Sequence, residues 1–156
     1  MREILFRAKA INRIKGREYR THYKNGDWVF GLLSKPYYDF NGYIQNAEMT
    51  NTDGVEGIEV DHETLGEFTG LTDCNEAKIF EGDIVQYIDN SGKLLGIVRF
   101  GAYEDCDEDM PYHRGFFIKW INSLMRYELG YWVFKREIEV IGNVYDNPEL
   151  VGGGKE

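Results

Sequence analysis

The sequence lacks the features on which membrane spans, secretion signals and disulfide frameworks depend. Its 156 residues contain no uncharged run longer than the eight residues 40–47, whereas a membrane-spanning helix needs about 20 apolar residues. The first four residues, Met-Arg-Glu-Ile, show no apolar core of a signal peptide. The two cysteines, Cys74 and Cys106, are too few for a disulfide framework. We therefore expect no membrane association and a location in the cytoplasm.

Residues with catalytic or metal-binding spacing are also scarce. A structural zinc site needs four ligands in local pairs, and none of His22, His62 and His113 lies at ligand spacing from a cysteine or another histidine. No serine lies in a Gly-x-Ser-x-Gly elbow. Neither Gly92-Lys93 nor Gly154-Lys155 belongs to a phosphate-binding loop. The sequence therefore predicts no cofactor, no metal ion and no enzymatic activity.

Glycine and aromatic residues, in contrast, are abundant. The chain has 18 glycines and 15% aromatic residues, and with short apolar runs this composition is typical of short strands joined by tight turns. Its 42% hydrophobic and 29% charged residues are those of a globular protein. No stretch shows a helical period over twelve residues. We predict a mostly β fold with at most short helical turns.

In the N-terminal part, alternation and turn signals predict a β-rich region. Residues 3–11 alternate between polar and apolar, which indicates a half-buried strand. Asn25-Gly26 predicts a tight turn between a strand around residues 18–23 and an apolar strand over residues 28–33. We expect Pro36 to end this unit and residues 36–57 to form short strands and loops. Residues 61–66 predict one helical turn, because Asp61 suits an N-cap and Gly66 suits a stop.

The C-terminal part predicts a second β region. Apolar runs between turn signals predict five strands, at residues 79–89, 94–100, 116–121, 131–134 and 137–145, the fourth of which is either a strand or a short turn. Asp83 is expected to bind backbone amides of the turn before its strand. Five short strands in this order suggest an SH3-like small β-barrel. The predicted domains are residues 1–66 and 67–151, followed by a flexible tail at 152–156.

Charge is unevenly distributed along the chain. Residues 1–35 carry nine Lys or Arg and three acids, a net charge of +6, whereas residues 36–156 carry nine bases and 24 acids, a net charge of −15. One interpretation is nucleic-acid binding by the basic segment and a barrel face. The other is that the basic segment packs on acidic surface of its own chain or of a neighbouring subunit, which the whole-chain charge of −9 favours. The candidate nucleic-acid contacts are Arg7, Lys9, Arg13, Lys15, Arg17, Arg20 and Lys24.

The densest local charge lies at residues 104–109, where five of six residues are acids. The spacing is not that of an EF-hand, although carboxylates of this kind could hold a divalent cation. The acids could also mimic a phosphate backbone or dock a partner protein, and the simplest interpretation is a solvated loop between two strands. The candidate docking residues are Glu104, Asp105, Asp107, Glu108 and Asp109.

Four segments give the sequence a resemblance to a known family. They are Arg-Glu-Ile-Leu-Phe-Arg-Ala at 2–8, Asp-Trp-Val-Phe-Gly-Leu-Leu at 27–33, the stretch 61–85 that ends in Ile-Phe-Glu-Gly-Asp-Ile-Val, and Ile-Gly-Asn-Val-Tyr-Asp-Asn-Pro-Glu-Leu at 141–150. In these segments the chain resembles the YopX-like family of bacteriophage and prophage proteins. It departs from the family at His62, where proline is usual, and at residues 74–78, which replace a Lys-Asn-Gly-type turn.

The resemblance implies a protein of phage or prophage origin, made in the bacterial cytoplasm and without an assigned activity. It also implies an N-terminal part involved in subunit contacts and a C-terminal SH3-like barrel. Because catalytic motifs are absent, we predict a non-enzymatic, homo-oligomeric accessory protein. Its partners would be itself and a host or phage protein. Nucleic-acid binding through the basic segment is the alternative.

Overall fold

The computed structural model describes residues 3–11, 23–104, 112–123 and 128–152. Within these residues the chain is mostly β, as predicted, with nine strands, one short helix and one 3₁₀ turn. The elements are β1 (Phe6–Ala10), β2 (Trp28–Tyr38), β3 (Ile44–Asn51), β4 (Ile58–Thr72), β5 (Lys78–Phe80), β6 (Asp83–Asp89), β7 (Gly92–Glu104), β8 (Tyr112–Trp120), α1 (Leu129–Phe134), β9 (Ile138–Asn143) and the 3₁₀ turn Pro148–Val151. The predicted strand around residues 18–23 and most of the predicted tail lie outside the described residues.

The chain divides into two compact units, residues 1–68 and 69–156. The first unit contains β1, β2, β3 and most of β4. The second contains the end of β4, together with β5 to β9 and α1. Each unit has a separate cluster of buried apolar side chains.

Strand pairing in the first unit is cyclic. β1 pairs with β2 and also with β4, and β3 pairs with both β2 and β4, all antiparallel. Ala10 and Ala47 are both register partners of Val60, so these strands approach the same point of β4. Gly31 also lies in a close approach, since a Cβ there would clash with the carbonyl oxygen of Thr50. The enclosed core is made of small and medium side chains: Ala8, Ala10, Val29, Ala47, Met49, Ile58 and Val60.

The helical turn predicted at residues 61–66 is wrong, because this segment is part of β4 and contains a bulge. The pairing with β1 jumps from Arg7↔Gly66 to Lys9↔Asp61, which leaves extra residues on β4. Within the bulge, the Thr64 hydroxyl donates to the carbonyl oxygen of Asp61 at 2.7 Å and accepts the backbone N–H of Lys9 at 2.8 Å. The Asp61 carboxylate, expected to cap a helix, instead accepts the backbone N–H of Glu63 at 3.0 Å within this irregular strand.

The second unit is built on a four-stranded antiparallel sheet with the order β8-β7-β6-β9. Its core is Ile79, Val85, Val98, Ile118, Trp120, Leu129, Trp132 and Ile138. The strand alternative at residues 131–134 is wrong, because this segment belongs to α1. Leu129 and Trp132, three residues apart, are both buried, as one face of a helix requires.

The turn between β5 and β6 matches the sequence prediction. Gly82 has a φ of +87°, which favours glycine. The Asp83 carboxylate is buried and accepts the backbone N–H of Phe80 at 2.7 Å. The backbone N–H of Gly82 donates to the carbonyl oxygen of Val98 at 2.9 Å, which joins this turn to β7.

Candidate interaction surfaces

The hairpin formed by β2 and β3 extends beyond the rest of the first sheet. β1 pairs with β2 only over residues 28–31, and β4 pairs with β3 only over residues 47–49. Beyond these points, the described strands β2 and β3 pair only with each other, as far as Tyr38↔Ile44. We call residues 34–46 the aromatic arm. The expectation that Pro36 ends the N-terminal unit is wrong, because β2 continues through Pro36 to Tyr38.

The tip of the aromatic arm is a turn held by one carboxylate. The Asp39 carboxylate accepts the backbone N–H groups of Asn41 and Tyr43, both at 2.9 Å. The backbone N–H of Gly42, with φ +83°, donates to the carbonyl oxygen of Asp39 at 3.0 Å. This turn leaves Phe40 98% exposed and Tyr43 70% exposed. A defined loop therefore presents two aromatic rings to solvent.

One face of the arm and of the strand that leads into it carries exposed apolar and aromatic side chains. They are Phe30, Leu32 and Tyr37. Among them lies the cross-strand pair Lys35↔Glu48. The Lys35 ammonium is 5.8 Å from the centre of the Tyr37 ring, and the Tyr37 hydroxyl donates to Glu48 Oε1 at 3.5 Å. The face thus combines apolar area with one base and one acid.

The residues predicted to contact nucleic acid are only partly within the described chain. Arg13, Lys15, Arg17 and Arg20 lie outside it. Arg7 is 8% exposed, with its guanidinium carbon 4.8 Å from the centre of the Trp28 ring. Lys9, two residues along the same strand, places its ammonium 5.3 Å from the same ring. Lys24 is exposed beside the predicted turn at Asn25-Gly26, which is present. Arg7 and Lys9 therefore pack on Trp28 in the first unit.

The predicted acidic docking segment lies between β7 and β8. Glu104 is the last residue of β7 and is exposed. Asp105, Asp107, Glu108 and Asp109 lie outside the described residues. β7 and β8 pair without interruption from Gly96↔Trp120 to Glu104↔Tyr112. A hydrogen bond between the Tyr112 hydroxyl and Glu104, together with the charge of that carboxylate, raises the pKa of Tyr112.

The outer half of the β7–β8 hairpin has two different faces. On one face, the Tyr103 ring stacks on His113 at 5.5 Å and on Phe117 at 5.1 Å, and Tyr103 is buried. The opposite face, which we call the distal β7–β8 face, consists of Phe100, Ala102, Tyr112, Arg114 and Phe116. There Phe100 is 47% exposed and Tyr112 is 76% exposed.

An open cleft of about 470 Å³ lies in the second unit, between the β4–β5 connection and the end of α1. Asp73 in its wall is buried, and its carboxylate accepts the backbone N–H groups of Asn75, Ala77 and Val140 at 2.8–2.9 Å. Cys74 is exposed, and partial burial of its thiol, followed by the charges of Asp73 and Glu139, raises its pKa. The hydrogen bonds of Asp73 give it a structural role here.

Sequence reasoning did not identify the aromatic arm. Residues 36–57 were expected to form short strands and loops, which gave no reason to place the four aromatic residues on one projecting hairpin. The signal that would have found it is Asn41-Gly42, a tight-turn dipeptide between two strands. The part of the chain that the structure describes has no group of three or more His, Cys, Asp or Glu placed to hold a metal ion, and none of its helices is long and apolar enough to cross a membrane.

Comparison with known proteins finds a matching family model and a solved structure of similar fold. The family model described as YopX protein matches residues 19–152. The crystal structure of protein EF1440 from Enterococcus faecalis aligns with 97% of this chain and 99% of its own chain, with 21% sequence identity and a TM-score of 0.48. No curated protein matches the sequence significantly.

Proposed function

The chain belongs to the YopX family, and we propose that it is a non-enzymatic, homo-oligomeric protein-interaction module that uses the aromatic arm for self-association. In this proposal it is a phage or prophage accessory protein that acts in the bacterial cytoplasm. A further partner protein from the host or the phage would dock on the acidic segment at residues 104–109. The single observation that carries the proposal is the exposure of the aromatic arm.

The energetic argument starts from Phe40. Burying a phenylalanine side chain stabilises a protein by about 1.5–3 kcal/mol relative to leaving it in water, and at Phe40 this energy is not used within the described chain. An isolated two-stranded hairpin is marginally stable in water, so the arm gains from a surface that covers it. Tyrosine, which is enriched at protein interfaces, occurs three times in the arm, at residues 37, 38 and 43.

A second copy of the chain is the partner that the charges of the arm support. Lys35 and Glu48 lie side by side on the exposed face. In a two-fold symmetric contact, every contact between two different residues occurs twice, once with each residue supplied by each copy. Lys35 of one copy can then face Glu48 of the other, twice, while the aromatic rings lose contact with water.

The test is the solution mass by light scattering on a sizing column, at several protein concentrations. The double variant Phe40→Ser/Tyr43→Ser removes apolar area from the tip and leaves Asp39 and Gly42 in place. We expect an oligomer for the natural chain and a lower mass for the variant. The matched control is Phe134→Ser, because Phe134 is also highly exposed but lies in α1; its mass should equal that of the natural chain. A monomeric natural chain at about 100 μM, or an unchanged mass for the double variant, would overturn the proposal.

Two narrower proposals accompany this one. The strand order of the second unit, with a short helix before its last strand, supports an SH3-like barrel there. Nucleic-acid binding is the alternative function, and its test is the anisotropy of labelled single-stranded DNA and RNA at low salt. Binding that falls steeply with salt in the natural chain, and less steeply when Arg13 and Arg17 are replaced by Gln, would support the alternative.

A further inference from the structure

The open cleft of the second unit is bounded by two residues in a backbone conformation that favours glycine. Among the residues that the structure describes, only Glu76 and Arg136 have a positive φ without being glycine, at +65° and +55°. Both line the cleft, Glu76 on the β4–β5 connection and Arg136 just after α1. An L-residue has a steric cost in this conformation that glycine does not have. The chain therefore carries a side chain at two positions where glycine would be more stable.

These two side chains have opposite charges that nothing in the described chain neutralises. Both residues are exposed. Within the described residues, neither the Glu76 carboxylate nor the Arg136 guanidinium takes part in a hydrogen bond or an ion pair, so the two do not pair with each other across the cleft. Strained residues of this kind cluster at sites that clamp a ligand. The cleft thus offers one free acid and one free base.

The walls of the cleft are held by backbone hydrogen bonds. The Asp73 carboxylate accepts the N–H groups of the two residues that flank Glu76, at 2.8 and 2.9 Å, and that of Val140 in β9 at 2.9 Å. On the other wall, the N–H of Arg136 donates to the carbonyl oxygen of Val133 at 2.9 Å. Because both charged residues extend from fixed backbone, a ligand would bind with little further ordering of the chain.

The size of the cleft and its two charges select the class of ligand. Its volume of about 470 Å³ lies within the range of about 300–1,000 Å³ that is usual for small-molecule sites. A guanidinium binds a carboxylate through two parallel hydrogen bonds, and a carboxylate pairs with an ammonium group. A short peptide with free ends carries both groups, one at each terminus. A ligand with a single charge would gain only one of the two contacts.

We propose that this cleft binds a short peptide with free ends, with the peptide ammonium group at Glu76 and the peptide carboxylate at Arg136. The site lies wholly in the second unit and does not involve the aromatic arm. Self-association and peptide binding are therefore tested separately, and the failure of one leaves the other standing.

The experiment is an NMR titration of the ¹⁵N-labelled full chain with trialanine. We expect the backbone amide signals of Cys74, Glu76 and Arg136 to shift with one common Kd on the order of 1 mM. Glu76→Gln and Arg136→Gln should each weaken binding about fivefold, as the loss of an exposed charge pair does. The matched controls are Glu137→Gln and Lys135→Gln, because both residues are exposed neighbours that do not line the cleft. They should change the Kd less than about twofold.

Capped peptides assign each end of the ligand to its residue. N-acetyl-trialanine lacks the ammonium group, so it should bind the natural chain about fivefold more weakly than trialanine does and lose nothing further with Glu76→Gln. Trialanine amide lacks the carboxylate and should behave in the same way toward Arg136→Gln. Equal affinity for the three peptides would overturn the inference, and so would the absence of any shift at the three amides at about 20 mM trialanine.

Glycine variants separate a binding role from a structural role. Glu76→Gly and Arg136→Gly should each raise the midpoint of urea unfolding, because glycine relieves the strained backbone. The same variants should weaken trialanine binding about fivefold, because the charge is gone. Opposite effects on stability and binding are expected where strain is retained for function. A glycine variant that binds trialanine as tightly as the natural chain would overturn the inference.

Discussion

Replacing Asp73 should destabilise the second unit more than replacing any comparable turn residue. Its carboxylate accepts three backbone N–H groups, two from the β4–β5 connection and one from Val140 of β9. Asp73→Ala removes all three bonds. Asp73→Asn keeps the size of the side chain but puts an NH₂ group in place of one oxygen, and we expect that group to lie toward the N–H of Val140.

The magnitude follows from where the three N–H groups lie. A hydrogen bond to a charged group contributes about 1.5–3 kcal/mol, and less where water can replace it. Asn75 and Ala77 are exposed, so water can satisfy their N–H groups, whereas Val140 is half-buried. We expect Asp73→Ala to lower the free energy of unfolding by about 3 kcal/mol and Asp73→Asn by about 2 kcal/mol.

The assay is urea unfolding followed by tryptophan fluorescence in a Trp28→Phe background. The remaining tryptophans, Trp120 and Trp132, lie in the core of the second unit and report on it alone. The control is Asp89→Ala, since the Asp89 carboxylate accepts the N–H of Ser91 in an exposed turn at 2.7 Å; it should cost about 0.5 kcal/mol. An effect of Asp73→Ala no larger than that of Asp89→Ala would refute the reasoning.

Two more predictions concern the same connection. Glu76 has a φ of +65°, so Glu76→Gly should raise the free energy of unfolding by about 0.5–1 kcal/mol after the extra chain entropy of glycine is subtracted; Glu76→Val should lower it in the same urea assay, and the opposite order would contradict this. The Cys74 thiol has a raised pKa, so in a Cys106→Ser variant its alkylation by iodoacetamide at pH 8 should be slower in the folded than in the urea-unfolded chain. For the same reason, the folded state should lose stability as pH rises from the pKa of the unfolded thiol through the raised one, and equal alkylation rates would argue against the shift.

The strands that the sequence predicted well are those with strong local patterns. β1 shows alternation, and β6 is a short apolar run. Asp83 follows a glycine, and a glycine at this point indicates a turn. These signals lie within a few residues and do not depend on distant contacts. The mostly β composition is therefore readable from the chain alone.

The predictions that were wrong share a different cause. Asp61 and Gly66 look like helix ends, yet β1 pairs on both sides of them and turns their segment into a bulge. α1 is too short for a periodic pattern, and only the burial of Leu129 and Trp132 shows its face. In each case a partner distant in sequence decides the conformation, and local propensity does not include it.

The candidate surfaces also depend on pairing between strands that are distant in the sequence. The acidic composition of residues 104–109 is visible in the sequence, but the pairing of Phe100 with Phe116 on one face requires the register of β7 with β8. Asn41-Gly42 marks the turn of the hairpin in the sequence, but its projection as the aromatic arm follows only once β1 and β4 are known to stop short of the hairpin end. Exposure of an aromatic residue is a property of the assembled sheet.

The cyclic pairing of the first unit has a consequence for synthesis on the ribosome. β1 is made before β4, which is one of its two neighbours and whose paired residues reach Glu67. At about 5–20 residues per second, β1 waits several seconds before that neighbour leaves the ribosome. During this interval one edge of β1 is open, and a chaperone that binds extended segments would have its best opportunity there.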